Sequence, residues 1–315
     1  MRDDMILCQQ KVAEVLAQVN QIVIGKEECV RKVMAAILAG GHILLEDIPG
    51  VGKTTLAMAF SETMALQNNR LQFTPDVMPS DLLGFSMYQK QTGTFEYQTG
   101  AVMCNLFLGD EINRTSPKTQ SALLEVMEEG KVTVDNETHP VPQPFVVIAT
   151  ENPTGSSGTQ MLPESQLDRF MIRLSMGYPS HDAAVQILKG QEFVPINGVN
   201  LVVSREELVE LQKKTNSLSV HDSIFDYIVT LIEKTRNNEY FALGASPRGA
   251  NSLLRMSRAM ALLSGRNYVV PDDIEAVFTA VLGHRVKLSS RARANGFTVD
   301  TALEEVRKSV KLPRT

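Results

Sequence analysis

Cysteine and histidine are sparse in this chain. Its three cysteines, Cys8, Cys29 and Cys104, stand apart with no Cys-x-x-Cys pair and no adjacent histidine, which argues against a disulfide framework and a structural zinc site. The five histidines are equally dispersed, so none is expected to ligate a metal. No apolar run approaches the roughly 18–20 residues of a membrane span. The opening residues lack the apolar stretch and cleavage site of a secretory signal, so the cytoplasm is the expected location. A basic block is missing too, and the net charge is −5, which speaks against a surface that coats nucleic acid. Repeats and low-complexity tracts are absent. What remains is an ordinary soluble composition, 43% hydrophobic and 21% charged over 315 residues, enough for one large or two medium domains.

The most informative segment is 43–55, Ile-Leu-Leu-Glu-Asp-Ile-Pro-Gly-Val-Gly-Lys-Thr-Thr. An apolar run enters a Pro/Gly turn and leaves through Gly-Lys-Thr into a helical pattern. A buried strand would deliver a turn whose backbone N–H groups face a polyphosphate at the next helix N-terminus. The expected nucleotide-binding set is Pro49, Gly50, Val51, Gly52, Lys53, Thr54 and Thr55. Lys53 would reach the β/γ-phosphates and the Thr54 hydroxyl would hold Mg²⁺. The strict pattern has glycine where this chain has Asp47, so a Gly-rich turn that merely precedes Lys-Thr is the competing reading.

Strand and helix patterns alternate in the first part. Helices are expected over 3–20 and 30–39, and strands over 42–46, 70–73, 105–109, 145–150 and 171–175. Near-continuous apolar strands suit a parallel sheet covered on both faces. Ser116-Pro117 opens a helix and Gly130 ends it. Period-two patterns at 85–98 and 132–141 read as hairpins, either edge caps or exposed elements that touch a partner. After about residue 179 only helical patterns follow, at 182–189, 205–215, 222–235, 247–264 and 272–282. The expected organisation is an α/β nucleotide-binding core over 1–179 and a smaller all-helical domain over 180–315.

ATP hydrolysis also needs a metal, a positioned water and charge stabilisation at the γ-phosphate. The strand before Asp110-Glu111 ends in two acids. Asp110 would hold the Mg²⁺ shell and Glu111 would polarise the attacking water. Asn152 follows a strand, where a neutral amide can bond the γ-phosphate or the water; an Asn-Pro turn is the alternative. Arg169 offers a planar charged fork to a neighbouring subunit's γ-phosphate, or else pairs with Asp168 or Glu164. Arg173 and Arg114 are its substitutes. Arg248 follows Ser246-Pro247 at a helix start, aimed at a phosphate or simply exposed.

Together these segments resemble the MoxR-type AAA+ ATPases. The resemblance is carried by 45–54, by Gln72-Phe73-Thr74-Pro75-Asp76, and most specifically by Asp110-Glu111-Ile112-Asn113-Arg114. It continues through 117–125, 149–153, 162–170 and Gly244-Ala245-Ser246-Pro247-Arg248, and spans about 23–288. It implies an AAA+ core sheet followed by a helical lid, subunits in rings, commonly hexamers, and ATP between neighbours. Val23, Ile24 and Gly25 match the adenine-lining segment, Asn152 the first sensor, Arg169 the arginine finger and Arg248 the second sensor. The hairpins match the insertions of a branch that also holds magnesium chelatase subunits and replicative helicases. Members often work with proteins carrying a von Willebrand factor A domain, as chaperone-like remodellers that mature or load metal cofactors. A DNA-associated motor or loader and a nucleotide-gated binding switch are the alternative functions. Two departures stand out: Gly109 where alanine is usual, and Glu151 where glutamine is usual, which adds a negative charge near ATP.

Overall fold

The structure is a computed structural model that describes residues 2–48, 50–152, 160–189 and 198–313. Its strands in chain order are β1 (Ile43–Glu46), β2 (Asn68–Gln72), β3 (Gly84–Gln89), β4 (Thr94–Thr99), β5 (Leu106–Asp110), β6 (Lys131–Val134), β7 (Glu137–Pro140), β8 (Val146–Glu151), β9 (Ile172–Leu174), β10 (Phe241–Leu243) and β11 (Lys287–Leu288). Five of them form one sheet in the order β2-β5-β8-β1-β9, parallel throughout. The chain starts in β1, crosses to the far edge at β2, returns through β5 and β8, and passes over β1 to β9. The strand order therefore reverses around β1, and a crevice opens beyond the carboxyl ends of its strands.

The apolar runs are explained by the two faces of this sheet. Ile43, Leu45, Leu106, Leu108, Val146 and Ile148 enter one hydrophobic cluster. Leu44, Phe107, Val147 and Ala149 enter the other. Neighbouring residues on a strand point to opposite faces, so a strand covered on both sides must be apolar at every position. The first cluster runs without a break into the second half of the chain through Leu253, Met256, Ile228 and Phe278. Core and lid thus share one apolar interior.

Several expected bounds shift. The strand expected at 70–73 begins at Asn68 and ends at Gln72, and Phe73 lies beyond it, fully buried. That placement accounts for Gly109: a Cβ there would stand 2.9 Å from the Phe73 ring and 3.2 Å from that of Phe107. The helix expected at 30–39 is Glu27–Leu38. Ser116 and Gly130 bound the helix Pro117–Glu129 as the sequence predicts, with the Ser116 hydroxyl accepting from Thr119 N. Beyond residue 180 the helices are His181–Leu188, Arg205–Asn216, Asp222–Arg236, Pro247–Leu263, Pro271–Leu282, Ser290–Ala294 and Val299–Ser309. The last two escaped the sequence reading, as did the small antiparallel ladder of β10 with β11.

Both hairpins form. β3 pairs with β4 antiparallel, and β6 with β7. Asp135 and Asn136 take φ of 49° and 66° at the second turn, as that dipeptide allows. The hairpins touch through Tyr97 and His139, whose rings stack at 3.9 Å and 7° between planes.

One buried guanidinium joins the two halves. Arg285 donates to the Asp168 carboxylate at 2.7 Å and to the carbonyls of Asp168, Phe170 and Met171 at 3.1, 2.6 and 3.0 Å. The same group reaches Ser252 Oγ at 3.2 Å and the Val281 carbonyl. Removing one partner of such a buried pair strands the other charge. Arg285→Ala is expected to lower stability by roughly 3–5 kcal/mol, read as the shift of a urea midpoint at constant slope. A shift of a few tenths would mean that Arg285 is not a structural joint.

Candidate active site

The carboxyl edge of the sheet carries a cavity of about 330 Å³ lined by Gly50, Gly52, Lys53, Thr54, Thr55, Arg70, Gln72, Asp110, Glu111 and Thr150. β1 ends just before the loop, and Lys53 begins the helix Lys53–Thr63. Gly50 and Gly52 take φ of 86° and 96°, a left-handed backbone that suits glycine. No side chain then fills the turn. Pro49 lies outside the described residues, and Val51 packs on the core edge. Lys53 Nζ donates to the Asp47 carbonyl at 2.8 Å. Burial lowers its pKa, while Asp47, Asp110 and Glu111 act in the opposite direction.

Asp110 is buried at the end of β5. Its carboxylate accepts from Arg70 Nε at 2.7 Å and from Thr150 Oγ1 at 3.3 Å. Glu111 follows at φ 58°, ψ 51°, an unusual conformation for a residue with a Cβ. Thr150 Oγ1 accepts from the Glu111 N–H at 2.9 Å, and Arg114 Nη1 donates to the Glu111 carboxylate at 2.8 Å. The Asp-Glu-Ile-Asn-Arg run is therefore a self-supporting unit. Ile112 is buried, and Asn113 Nδ2 donates to the Asn152 carbonyl at 3.1 Å, tying the end of β5 to the end of β8. Arg114, one of the two substitutes for Arg169, thus stands beside the acid of its own cavity. Arg70 gave no signal in the sequence, as an isolated polar residue in a strand; Thr150 and Asn113 lie in segments that carry the resemblance, but no contact of theirs was read there.

The structure explains Asp47. Its carboxylate is buried and faces away from the loop, accepting from Ser175 Oγ at 3.0 Å, from Gly177 N at 3.1 Å and from Met176 N. Lys26 Nζ donates to the carbonyls of Met176, Gly177 and Tyr178 at 2.5, 2.9 and 2.7 Å. The segment after β9 is thus gripped from both sides, its N–H groups by an anion and its carbonyls by a cation. Of the segment Val23, Ile24 and Gly25, Val23 is buried and Gly25 has φ 70°. Gly25 lines a neighbouring cavity of about 250 Å³ with Lys26, Ser175 and Met176. A Cβ on Gly25 would stand 2.8 Å from Ala183 Cβ in the helix His181–Leu188.

Arg169 and Arg248 lie elsewhere. They line a cavity of about 190 Å³ with Gly40, Gly41, His42 and Glu128. Residues 40–42 immediately precede β1, so this is the amino edge of the sheet. The four residues of β1 separate it from the phosphate loop, about 13 Å at the rise of a parallel strand. The two cavities share no lining residue. Arg169 pairs with Glu128 at 2.8 Å and Arg248 with the same carboxylate at 2.5 Å. Neither Asp168 nor Glu164 is the partner of Arg169: Asp168 holds Arg285, and Glu164 holds Lys287 at 2.6 Å. Arg173 pairs with Glu46 at 3.2 Å and donates to the Gly283 carbonyl.

Glu151 differs from the expectation of a fixed negative charge. It is buried beside Glu46 in the register of β8 with β1. Burial first, then the Glu46 charge, push its carboxyl up to about 7, against the pull of Arg173. It therefore carries a proton for much of the time near neutral pH.

Residues 42–172 match the AAA family, described as ATPases associated with various cellular activities, and 233–306 match the AAA lid domain. The chain is 44% identical over 303 residues to the uncharacterized protein YeaC of Bacillus subtilis, covering 96% of this chain and 95% of that protein. It is 36% identical over 306 residues to Chaperone MoxR1 of Mycobacterium tuberculosis, covering 94% and 81%. A crystal structure from Cytophaga hutchinsonii, described as a candidate ATPase, superposes with a TM-score of 0.91 at 35% identity, covering 99% of this chain and 98% of that one.

Two outcomes are expected from these contacts. Asp47→Gly restores the glycine of the strict motif yet strips three donors of their acceptor. It should weaken nucleotide affinity about tenfold, measured by calorimetric titration. Equal or tighter binding would show the grip on 175–177 to be irrelevant. For Glu151 the folded pKa is raised to about 7, so the folded chain holds more protons than the unfolded one above the ordinary carboxylate range. Its contribution is present in acid and is lost as pH rises through about 7. Glu151→Gln should therefore gain stability relative to the parent at pH 8, on the order of 2–3 kcal/mol, and the gain should vanish near pH 4. Parallel melting curves across pH would check this.

Proposed function

Because this chain belongs to the MoxR family of AAA+ ATPases and hydrolyses ATP, we propose that it works as a ring in which each nucleotide is completed by two subunits. The observation that carries this reading is the division of the charged groups between the two edges of the sheet. Lys53, Thr54, Asp110 and Glu111 surround one cavity, while Arg169 and Arg248 share a carboxylate at the opposite edge. The two arginines are out of reach of their own phosphate loop and serve the loop of a neighbour. A ring, and a hexamer in the family's pattern, satisfies every loop with one neighbour's arginines.

Within the site, the glycine turn and the start of the helix Lys53–Thr63 receive the phosphates. Val23, Ile24 and Gly25 border the base. Thr54 and Asp110 are hard oxygen donors on one cavity wall, a set that fits Mg²⁺. Bound there, the ion would neutralise polyphosphate charge. Glu111 takes the proton of the attacking water, with Arg114 and Thr150 fixing its orientation. Asn152 acts as the sensor of the γ-phosphate. Arg169 and Arg248 stabilise charge in the transition state from across the interface.

Residues 1–179 form the motor and 180–315 the lid, and the cycle displaces the hairpins at 85–98 and 132–141. The output is chaperone-like remodelling of a protein client, in the pattern of a von Willebrand factor A domain partner and metal-cofactor insertion. The relative named as a chaperone supports the direction of this reading.

Complementation between dead subunits tests it. Lys53→Ala should abolish nucleotide binding, and Glu111→Gln should bind ATP without turnover. The Arg169→Ala, Arg248→Ala double variant should lose roughly 10³-fold in turnover while still binding ATP. Mixing the Lys53→Ala chain with the double variant should restore turnover, because some interfaces then join an intact loop to intact arginines. A mixture as inactive as its components would sink the shared-site reading.

A further inference from the structure

The cavity that joins Arg169 to Arg248 carries an excess of positive charge. Its charged walls are Glu128, Asp168, Arg169, Arg248 and Arg255. Asp168 is engaged by Arg285 and by Ser246 Oγ at 3.0 Å. Three guanidinium groups then share the lining with one remaining carboxylate, that of Glu128. Arg255 is turned toward the carbonyls of Ala39 and Gly40, where it closes the end of the helix Glu27–Leu38. Glu128 is left to the other two and gives one oxygen to each. Oε2 accepts from Arg169 Nε at 2.8 Å, and Oε1 from Arg248 Nη2 at 2.5 Å. The Arg169 hydrogen bond, aided by the Arg248 charge, holds the Glu128 carboxyl below its ordinary range.

Two like charges converging on one point repel unless an anion lies between them. Here the anion comes from the end of the helix Pro117–Glu129. A terminal phosphoryl group offers the same two-pronged recognition, with a third acceptor oxygen and more charge. The side chains of Glu128, Arg169 and Arg248 keep 39%, 29% and 45% of their exposure, so an exchange of partners at this surface costs little.

We propose that Glu128 is a positioning residue that competes with the neighbour's nucleotide: it keeps Arg169 and Arg248 together until a γ-phosphate displaces it. This rests on the reading that both arginines act across the interface. A nucleoside triphosphate presents the displacing group and a diphosphate does not. Glu128 thereby makes assembly respond to ATP rather than to ADP.

Light scattering on the full chain tests it, in a Glu111→Gln background so that ATP is not consumed. Assembly is followed against ATP and against ADP. With Glu128→Gln added, half-assembly is expected at a roughly three- to tenfold lower ATP concentration. ADP should then support assembly at concentrations where the parent stays dispersed. Glu128→Asp, which keeps the charge on a shorter arm, should fall between the two and serves as the test if Glu128→Gln fails to fold. Unchanged midpoints, or a greater need for ATP, would overturn the proposal. The Arg169→Ala, Arg248→Ala double variant separates the two levels. If it assembles with ATP as the parent does, the cross-interface reading fails and takes Glu128 with it. If it loses ATP-driven assembly while Glu128→Gln changes nothing, the proposal alone falls.

Discussion

Everything at the amino edge of the sheet depends on the guanidinium of Arg285. It lies between the segment 168–171 and the helices Pro247–Leu263 and Pro271–Leu282, and it bonds to all three. Arg169 belongs to the first of these segments and Arg248 to the second. Their side chains can meet on one carboxylate only because Arg285 fixes the distance between the backbones that carry them. The alternative partner for Asp168 would have been its sequence neighbour Arg169. By occupying Asp168, Arg285 leaves Arg169 available for a different anion. A buried ion pair is poor evidence of stability in itself, but it is a strong way of specifying one arrangement.

A common pattern runs through the charged groups. The charged groups expected to meet ATP each have a partner within the chain. Arg70 stands against Asp110, Arg114 against Glu111, the Asp47 carbonyl against Lys53, and Glu128 against the two arginines. Such pairing limits the cost of gathering like charges in one place. Binding then becomes an exchange of partners rather than the creation of bonds where none existed. The energy available from the nucleotide is correspondingly a difference between two sets of contacts.

Much of this was legible in the sequence where the chemistry is local. A strand, a glycine turn and Lys-Thr lie next to one another in the chain, as do a strand and Asp110-Glu111. The three near-continuous apolar runs map onto β1, β5 and β8 at the centre of the sheet, because burial on both faces demands apolar residues there, whereas the edge strand β2 is largely polar and exposed. Contacts between distant positions left no such trace. Glu128 looks like a surface acid near a helix end, and Arg285 lies 117 residues from Asp168. Asp47 read as a departure from a motif because its partners, 175–177, are 128 to 130 residues further on. Glu151 read as a charge because a sequence does not reveal that its neighbour across the strands is another acid, Glu46. The five-residue helix Ser290–Ala294 is too short to leave a pattern, whereas Val299–Ser309 carries Val299, Ala302, Leu303 and Val306 at helical spacing behind a Thr298 cap and was legible but not read.

The stacked rings of Tyr97 and His139 bear on mechanics. Two independent hairpins would each bend at its own root and dissipate a push as separate wobble. Rings in face-to-face contact hold the two hairpins together at one point, and the root of the first hairpin is itself tight: a Cβ on Gly84 or Gly100 would come within 2.1 Å of backbone oxygen. The pair therefore acts as a braced beam with a stiff footing. A push on the second hairpin would then reach the first through this contact instead of leaving each to bend alone.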